Sequence, residues 1–324
     1  MKVYISRNIP EEGCDLLREN GFEVIVNRED YKHTPAELIA ACRDVDFLLN
    51  AGLTPLDSHF IDSCSHLKGI ALASVGYDYV DLEAATRHKI PVSHTPDVLS
   101  GATADVAFLL MLAVSRKAFH RSRDIAKGNW KTFEFMQDLG QELNGKTLGI
   151  YGLGRIGFEL ARKAKGAYDM DVIYYNRSRN ETAERLLGAR YVSFDTLLTE
   201  SDVLSAHTNL SPETQYKFDK EVFRRMKNTA IFVNTARGKI HHEADLLEAL
   251  RTGEIWGAGL DVTDPEPMAA DNPLLQMPNV CVLPHIGSAT IETRTNMARM
   301  AASNIIIAGQ GARMPQIVNE EVYG

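Results

Sequence analysis

Short apolar strands alternating with helical stretches, a glycine-rich turn between strand and helix at 152–157, and a break in that rhythm at 94–97 predict an α/β protein. The fold class is a pair of doubly wound, Rossmann-like or flavodoxin-like domains, one inserted within the other. A length of 324 residues fits two domains at roughly 100–200 residues each. The outer domain is placed at 1–98 plus 289–324, and the inserted one at 99–288.

The first strands are Val3-Tyr4-Ile5, Val24-Ile25-Val26, Phe47-Leu48-Leu49, Ile70-Ala71-Leu72 and Ile90-Pro91-Val92, with helical segments such as Pro35 to Arg43 between them. After His94-Thr95-Pro96-Asp97 a long helix is expected from Ser100–Thr103, which offer capping hydroxyls, through to about Lys127. The second α/β unit opens at Lys146 and runs to about Ile286, and Ala289 to Ala308 reads as a closing helix. The crossovers near 97–103 and 286–291 are the expected hinges.

Composition narrows the function. There are 35 basic and 43 acidic residues, a formal charge of −8, which argues against a nucleic-acid or anionic-membrane binder. The most apolar run, Val106 to Val114, is far short of the roughly 20 residues that span a bilayer. The opening MKVYISRNIP reads as a first strand rather than a signal segment. Cys14, Cys42, Cys64 and Cys281 form no CxxC pair and no metal-ligand spacing, so reduced thiols in a cytoplasmic protein and no metal site are expected. His241 and His242, adjacent on extended chain, point to opposite faces and make a poor metal pair.

The chemistry begins at Thr147–Tyr151, a strand followed by Gly152-Leu153-Gly154-Arg155-Ile156-Gly157, a helix, and a second strand, Val172–Tyr175. This is the context a dinucleotide site requires. Gly152 permits the tight turn, Gly154 the approach of a pyrophosphate, and Gly157 close helix packing. The helix N-terminus faces the phosphates with free N–H groups. Where NAD sites usually place a carboxylate, the second strand ends in Asn176, Arg177, Ser178 and Arg179. A guanidinium pairs with a 2′-phosphate that a carboxylate would repel, so NADP(H) is the preferred cofactor, with NAD(H) as the alternative.

Three more strands end in reactive residues: Ile231–Ala236 before Arg237, Trp256–Val262 before a loop holding Glu266, and Val280–Pro284 before His285. In an open parallel sheet, ligands sit beyond the carboxyl ends of the strands. A histidine can donate a proton to a carbonyl being reduced, a carboxylate can orient that ring, and a guanidinium can hold a substrate carboxylate. His285, Glu266 and Arg237 fit those roles.

These motifs, GLGRIG at 152–157, NTARG at 234–238, GLDVTDPEP at 259–267 and LPHIGSAT at 283–290, with SVGYD at 74–78 and GATAD at 101–105, resemble the D-isomer-specific 2-hydroxyacid dehydrogenases over essentially the whole chain. The glyoxylate/hydroxypyruvate reductases and 2-ketogluconate reductases are the most similar branch. The resemblance implies that Arg237 binds the substrate carboxylate, that Glu266 pairs with His285, and that His285 is the acid/base. It implies substrate contacts from Ser74, Val75 and Gly76, with the Val75 and Gly76 N–H groups on the carboxylate. It places Arg155 and Ile156 on the pyrophosphate and Thr235, Ala236 and Asp261 beside the nicotinamide. Cofactor contacts from His207, Thr208 and Gly287 are expected with these. Family members are usually homodimers, and their domains close over the substrate.

The chain departs from the family in Thr208-Asn209-Leu210, where a proline-containing turn is common, and in Lys239-Ile240-His241-His242, where an acidic segment is more usual. Phe133, just after Trp130, stands where a partner-derived aromatic, often tryptophan, enters the pocket of related reductases. The expected function is therefore NADPH-preferring reduction of glyoxylate, hydroxypyruvate or 2-ketogluconate to D-2-hydroxy acids. The alternatives are an NAD-dependent dehydrogenase of a D-lactate-type or phosphoglycerate-type acid and, more remotely, a nucleotide-sensing binding protein without catalysis. Formate dehydrogenase is disfavoured because its relatives carry glutamine in place of the Glu266 carboxylate.

Overall fold

The computed structural model describes residues 1–29 and 31–324. It divides into two compact units, 1–99 with 288–324, and 100–287. The first holds a five-stranded parallel sheet of β1 (Lys2–Ile5), β2 (Glu23–Val26), β3 (Phe47–Asn50), β4 (Gly69–Leu72) and β5 (Val92–Ser93), in the order β2-β1-β3-β4-β5. Both faces are covered, so the central strands are mostly apolar. Tyr4, Leu48, Ile70 and Leu72 pack on one side, and Val3, Ile5, Phe47 and Leu49 pack on the other. On that second side α1 (Glu11–Glu19) lies against the closing helix α12 (Ile291–Gly309), and the Ala298 side chain sits where a Cβ at Gly13 would fall, 2.9 Å away. Between them in sequence come α2 (Pro35–Cys42), α3 (Ser58–Ser63) and α4 (Leu82–Arg87), each opened by a side-chain cap: Thr34, Asp57 and Asp81.

The second unit opens with α5 (Ser100–Ser115) and α6 (Ala118–Ala126). The single long helix expected to Lys127 is therefore two. Gln141 N–H donates to the Ser115 carbonyl at 2.8 Å, diverting the acceptor a continuing helix needs, and Lys117 turns left-handed at φ 52°.

Its sheet is seven-stranded and parallel: β6 (Thr147–Tyr151), β7 (Asp171–Tyr175), β8 (Arg190–Tyr191), β9 (Val203–Ala206), β10 (Ile231–Asn234), β11 (Gly257–Leu260) and β12 (Val280–Val282). The order β12-β11-β10-β9-β6-β7-β8 reverses direction between β6 and β9, where a doubly wound sheet opens its ligand crevice. On one face α5 and α7 (Arg155–Tyr168) pack on Leu148, Ile150, Val203 and Val233. The other face is covered by α9 (Phe194–Glu200), α10 (Lys220–Arg225) and α11 (Glu243–Thr252), over Leu204, Phe232 and Leu260. α8 (Glu181–Leu187) follows β7. The glycines of β11 set the spacing, since a Cβ at Gly257 or Gly259 would meet α5 at 2.6 Å (Val114) or 2.8 Å (Leu110).

Candidate active site

The turn after β6 is built for close approach. Gly152 has φ +98°, and a Cβ there would lie 2.8 Å from the His207 backbone. At Gly157 a Cβ would fall 2.9 Å from the Gly152 carbonyl, so α7 starts tight against the turn. Gly154 differs: a Cβ there would meet no protein atom. Gly154 is also the N-cap of α7 and offers its first turn no side-chain acceptor. The open space over Gly154 and the uncapped first turn of Arg155, Ile156 and Gly157 fit a dinucleotide pyrophosphate, which would use both.

At the end of β7 the Asn176 carboxamide is turned inward. Its Oδ1 accepts the Leu153 N–H at 2.6 Å and its Nδ2 donates to the Leu153 carbonyl at 3.3 Å, joined there by Asn180 Nδ2 at 3.0 Å. Asn176 thus braces the glycine turn. Arg177 and Ser178 are exposed. Arg179 is tied bidentately to Glu184 at 3.0 and 2.6 Å, whereas Arg177 makes no hydrogen bond or ion pair among the described residues. Its charge reaches Glu213, whose carboxyl is held below its ordinary value mainly by the Ser211 hydroxyl.

The ends of β9 and β10 meet at His207, whose Nε2 lies 2.8 Å from Ser205 Oγ and whose Nδ1 lies 3.4 Å from Thr235 Oγ1. Burial pushes this ring down to about 4, so it is neutral near pH 7. Thr208 follows, half-buried. Beyond β10 the loop is organised by Asn234, fully buried: its Oδ1 accepts the Ala236 N–H at 2.9 Å and its Nδ2 donates to the Arg237 carbonyl at 2.8 Å. One Nη–H of the half-buried Arg237 guanidinium donates to the Ala236 carbonyl at 2.8 Å. Gly238 admits the next loop, because a Cβ there would overlap the Thr263 carbonyl at 1.9 Å.

That next loop carries Glu266, and the one after β12 carries His285. His285 Nδ1 and Glu266 Oε1 are 2.6 Å apart. An ionised carboxylate only accepts, so Nδ1 bears the hydrogen and Nε2 is left to face a substrate. Burial alone would raise the Glu266 carboxyl; the His285 bond and charge, the Thr263 N–H and the Arg237 charge outweigh it and leave the carboxyl below its ordinary value. His285 is left-handed at φ 54°, a conformation few non-glycine residues adopt. Asp261, 1% exposed, takes the Ile286 and Gly287 N–H groups, one on each carboxylate oxygen at 2.8 Å, and fixes that turn.

In the other unit the Ser74–Gly76 turn is held from within. Ser74 Oγ donates to the Gly76 carbonyl at 2.8 Å and His94 Nδ1–H to the Val75 carbonyl at 2.9 Å. The Val75 and Gly76 N–H groups have no acceptor among the described residues.

A glycine turn for a dinucleotide, a guanidinium beside a carboxylate–imidazole pair, and their common place at the carboxyl edge of one sheet suit carbonyl reduction. The sequence model described as "D-isomer specific 2-hydroxyacid dehydrogenase, NAD binding domain" matches residues 108–287. The glyoxylate reductase of Korarchaeum cryptofilum is 41% identical over 322 residues, 99% of this chain and 96% of that one. This chain belongs to the D-isomer-specific 2-hydroxyacid dehydrogenases. The TT0316 protein of Thermus thermophilus superposes with a TM-score of 0.91 at 41% identity, over 98% of this chain and 100% of that one. An NADPH-dependent glyoxylate/hydroxypyruvate reductase of Sinorhizobium meliloti, solved with NADP and malonate, gives 0.85 at 30% identity, over 99% and 97%.

The chain is thus an NAD(P)-dependent oxidoreductase of the 2-keto/2-hydroxy acid class. Among the described residues of this dehydrogenase no helix is long and apolar enough to cross a membrane, and no cluster of three or more metal-ligating side chains occurs. Two organising residues escape sequence reasoning. Asn180 acts on the Leu153 carbonyl, 27 residues away, which only the folded loops bring near, and Asn234 acts on backbone groups two and three residues further on, within the NTARG motif.

Proposed function

We propose that this dehydrogenase reduces small 2-keto acids, glyoxylate and hydroxypyruvate foremost and 2-ketogluconate as a larger candidate, to D-2-hydroxy acids with NADPH. The observation that carries the reading is the 2.6 Å contact of His285 Nδ1 with Glu266, which leaves Nε2 as the proton donor. When bound, the nicotinamide supplies the hydride. Arg237 holds the substrate carboxylate and polarises the adjacent carbonyl. His285 delivers the proton from Nε2 to the oxygen as negative charge develops there, and Glu266 keeps the ring oriented and stabilises its cationic form. Thr235, Ala236 and the neutral His207 line the floor beneath.

The NADPH preference rests on Arg177. β7 ends without a carboxylate, Arg179 is spent on Glu184, and Arg177 is the guanidinium left for a 2′-phosphate. The likeness to the Sinorhizobium reductase solved with NADP points the same way.

We also propose a homodimer in the cytoplasm. Trp130, Phe133, Phe135 and Met136 are 66–82% exposed on one segment, an apolar surface that a second copy would cover. All four cysteines are free and buried, in keeping with a reducing compartment.

The test is a matrix of initial rates, NADPH and NADH each against glyoxylate, hydroxypyruvate, pyruvate and 2-ketogluconate. Turnover that favours NADPH with one of the first two acids is expected. Equal rates with both cofactors would remove the Arg177 reading, and dinucleotide binding without turnover on any acid would remove the substrate class.

A further inference from the structure

His241 is a buried titratable group that the proposed chemistry does not use. It follows the 3₁₀ turn Gly238–Ile240, is 0% exposed, and lies against Phe232 with ring centroids 5.9 Å apart. Its Nδ1 is 3.0 Å from Asn234 Nδ2. The orientation of that carboxamide is not free. Its oxygen must face the Ala236 N–H and its nitrogen the Arg237 carbonyl, because the reverse would set donor on donor and acceptor on acceptor. The ring atom facing the second amide hydrogen must then be an acceptor, so the proton sits on Nε2.

We infer that His241 is a positioning residue for the reaction: its Nδ1 takes the second hydrogen of the Asn234 amide and so completes the clamp that sets the Arg237 loop. Two features single out this role over simple filling of the core. The Nε2–H is buried and has no partner. An apolar side chain would fill the same space without that orphaned donor, so the ring's distinct contribution is the acceptor at Nδ1. The ring is also neutral, as the acceptor role demands, because burial pushes it down to about 4. Asn234 is thereby bonded through its oxygen, to the Ala236 N–H, and through both amide hydrogens, to Arg237 and His241. With an apolar neighbour, one amide hydrogen would be left bare and the carboxamide could pivot away from the Arg237 carbonyl.

The inference rests on the reading of Arg237 as the substrate-carboxylate ligand, and the experiment separates the two. His241→Leu removes the acceptor; His241→Asn returns one, its Oδ1 standing where Nδ1 stood. Glyoxylate kinetics are measured with the faster of the two dinucleotides, together with the inhibition constant of oxalate, a carboxylate ligand that cannot react. Arg237→Lys is run in parallel. The leucine variant is expected to raise both the glyoxylate KM and the oxalate constant about tenfold, one ordinary hydrogen bond's worth, with kcat held within about threefold and the asparagine variant close to wild type. Should the leucine variant not fold, His241→Met, the more adaptable apolar filler, takes its place. An unchanged KM in the apolar variant, or equal damage from leucine and asparagine, overturns the inference. An unchanged KM in Arg237→Lys instead overturns the reading of Arg237 beneath it.

Discussion

Asp261 holds His285 in place without touching its ring: the carboxylate takes the two peptide N–H groups that follow the histidine, at 2.8 Å each, and so secures a left-handed residue at φ 54°. Burial leaves the Asp261 carboxyl above its ordinary value, with the two N–H groups and the His285 charge offsetting part of the rise. Asp261→Asn can offer only one oxygen, so one N–H must face an amide NH₂. Its kcat with glyoxylate is expected to fall roughly tenfold to a hundredfold, the penalty of a catalytic group about 1 Å out of place. A kcat within twofold of wild type in stopped-flow turnover would mean that the loop is held by other contacts.

The Glu266–His285 pair makes two predictions about pH. Glu266 is an anion throughout the neutral range and sides with the protonated ring. Glu266→Gln should therefore shift the pH–rate profile of reduction to lower pH, and a superimposable profile would argue against the pairing. The stability effect has a definite sign. A carboxyl held below its ordinary value stabilises the fold above about pH 4.3, and that contribution is lost as pH falls through the lowered value. The stability gap between wild type and Glu266→Gln should be open at pH 7 and close on acidification, as read by denaturant melts. His285→Ala should lower kcat by roughly 10²- to 10⁴-fold with dinucleotide affinity retained.

Arg177 and Arg179 are neighbours in sequence but differ in what they hold. Arg177→Ala should raise the NADPH KM and leave that for NADH nearly unchanged. Arg179→Ala should change the NADPH KM less, because its guanidinium is already engaged by Glu184 at 2.6 Å. Equal effects of Arg177→Ala on both cofactors would place the 2′-phosphate elsewhere.

The strands and the glycine turn were legible because their signals are local: apolar runs, a glycine motif, a polar residue at a strand end. Glu266 and His285 could be named from such ends, and the folded loops bring them together. What was not legible depends on contacts between distant loops. The split of the 100–127 helix hinges on Gln141 reaching back to Ser115, 26 residues away. The inward turn of Asn176 depends on Leu153, and the grip of Asp261 on Gly287, spans of 23 and 26 residues. None of these leaves a periodicity in the sequence. The side chains concerned satisfy backbone groups, which every residue carries alike.

Two glycines separate a demand of the protein from a demand of its ligand. A methyl at Gly238 would fall 1.9 Å from the Thr263 carbonyl, so the Arg237 and Glu266 loops would be forced apart. Gly238→Ala should lower stability by about 2 kcal/mol or more and abolish most turnover, as overpacking against backbone does. A methyl at Gly154 meets no protein atom, and the residue's φ of −87° suits any side chain. Gly154→Ala should therefore melt within about 3 °C of wild type. If the space over Gly154 is where the pyrophosphate lies, the same variant should bind the dinucleotide at least about tenfold more weakly, by steric conflict and loss of close N–H contact. Fluorescence titration with NADPH decides it: unaltered affinity in a well-folded Gly154→Ala protein would move the pyrophosphate off this turn.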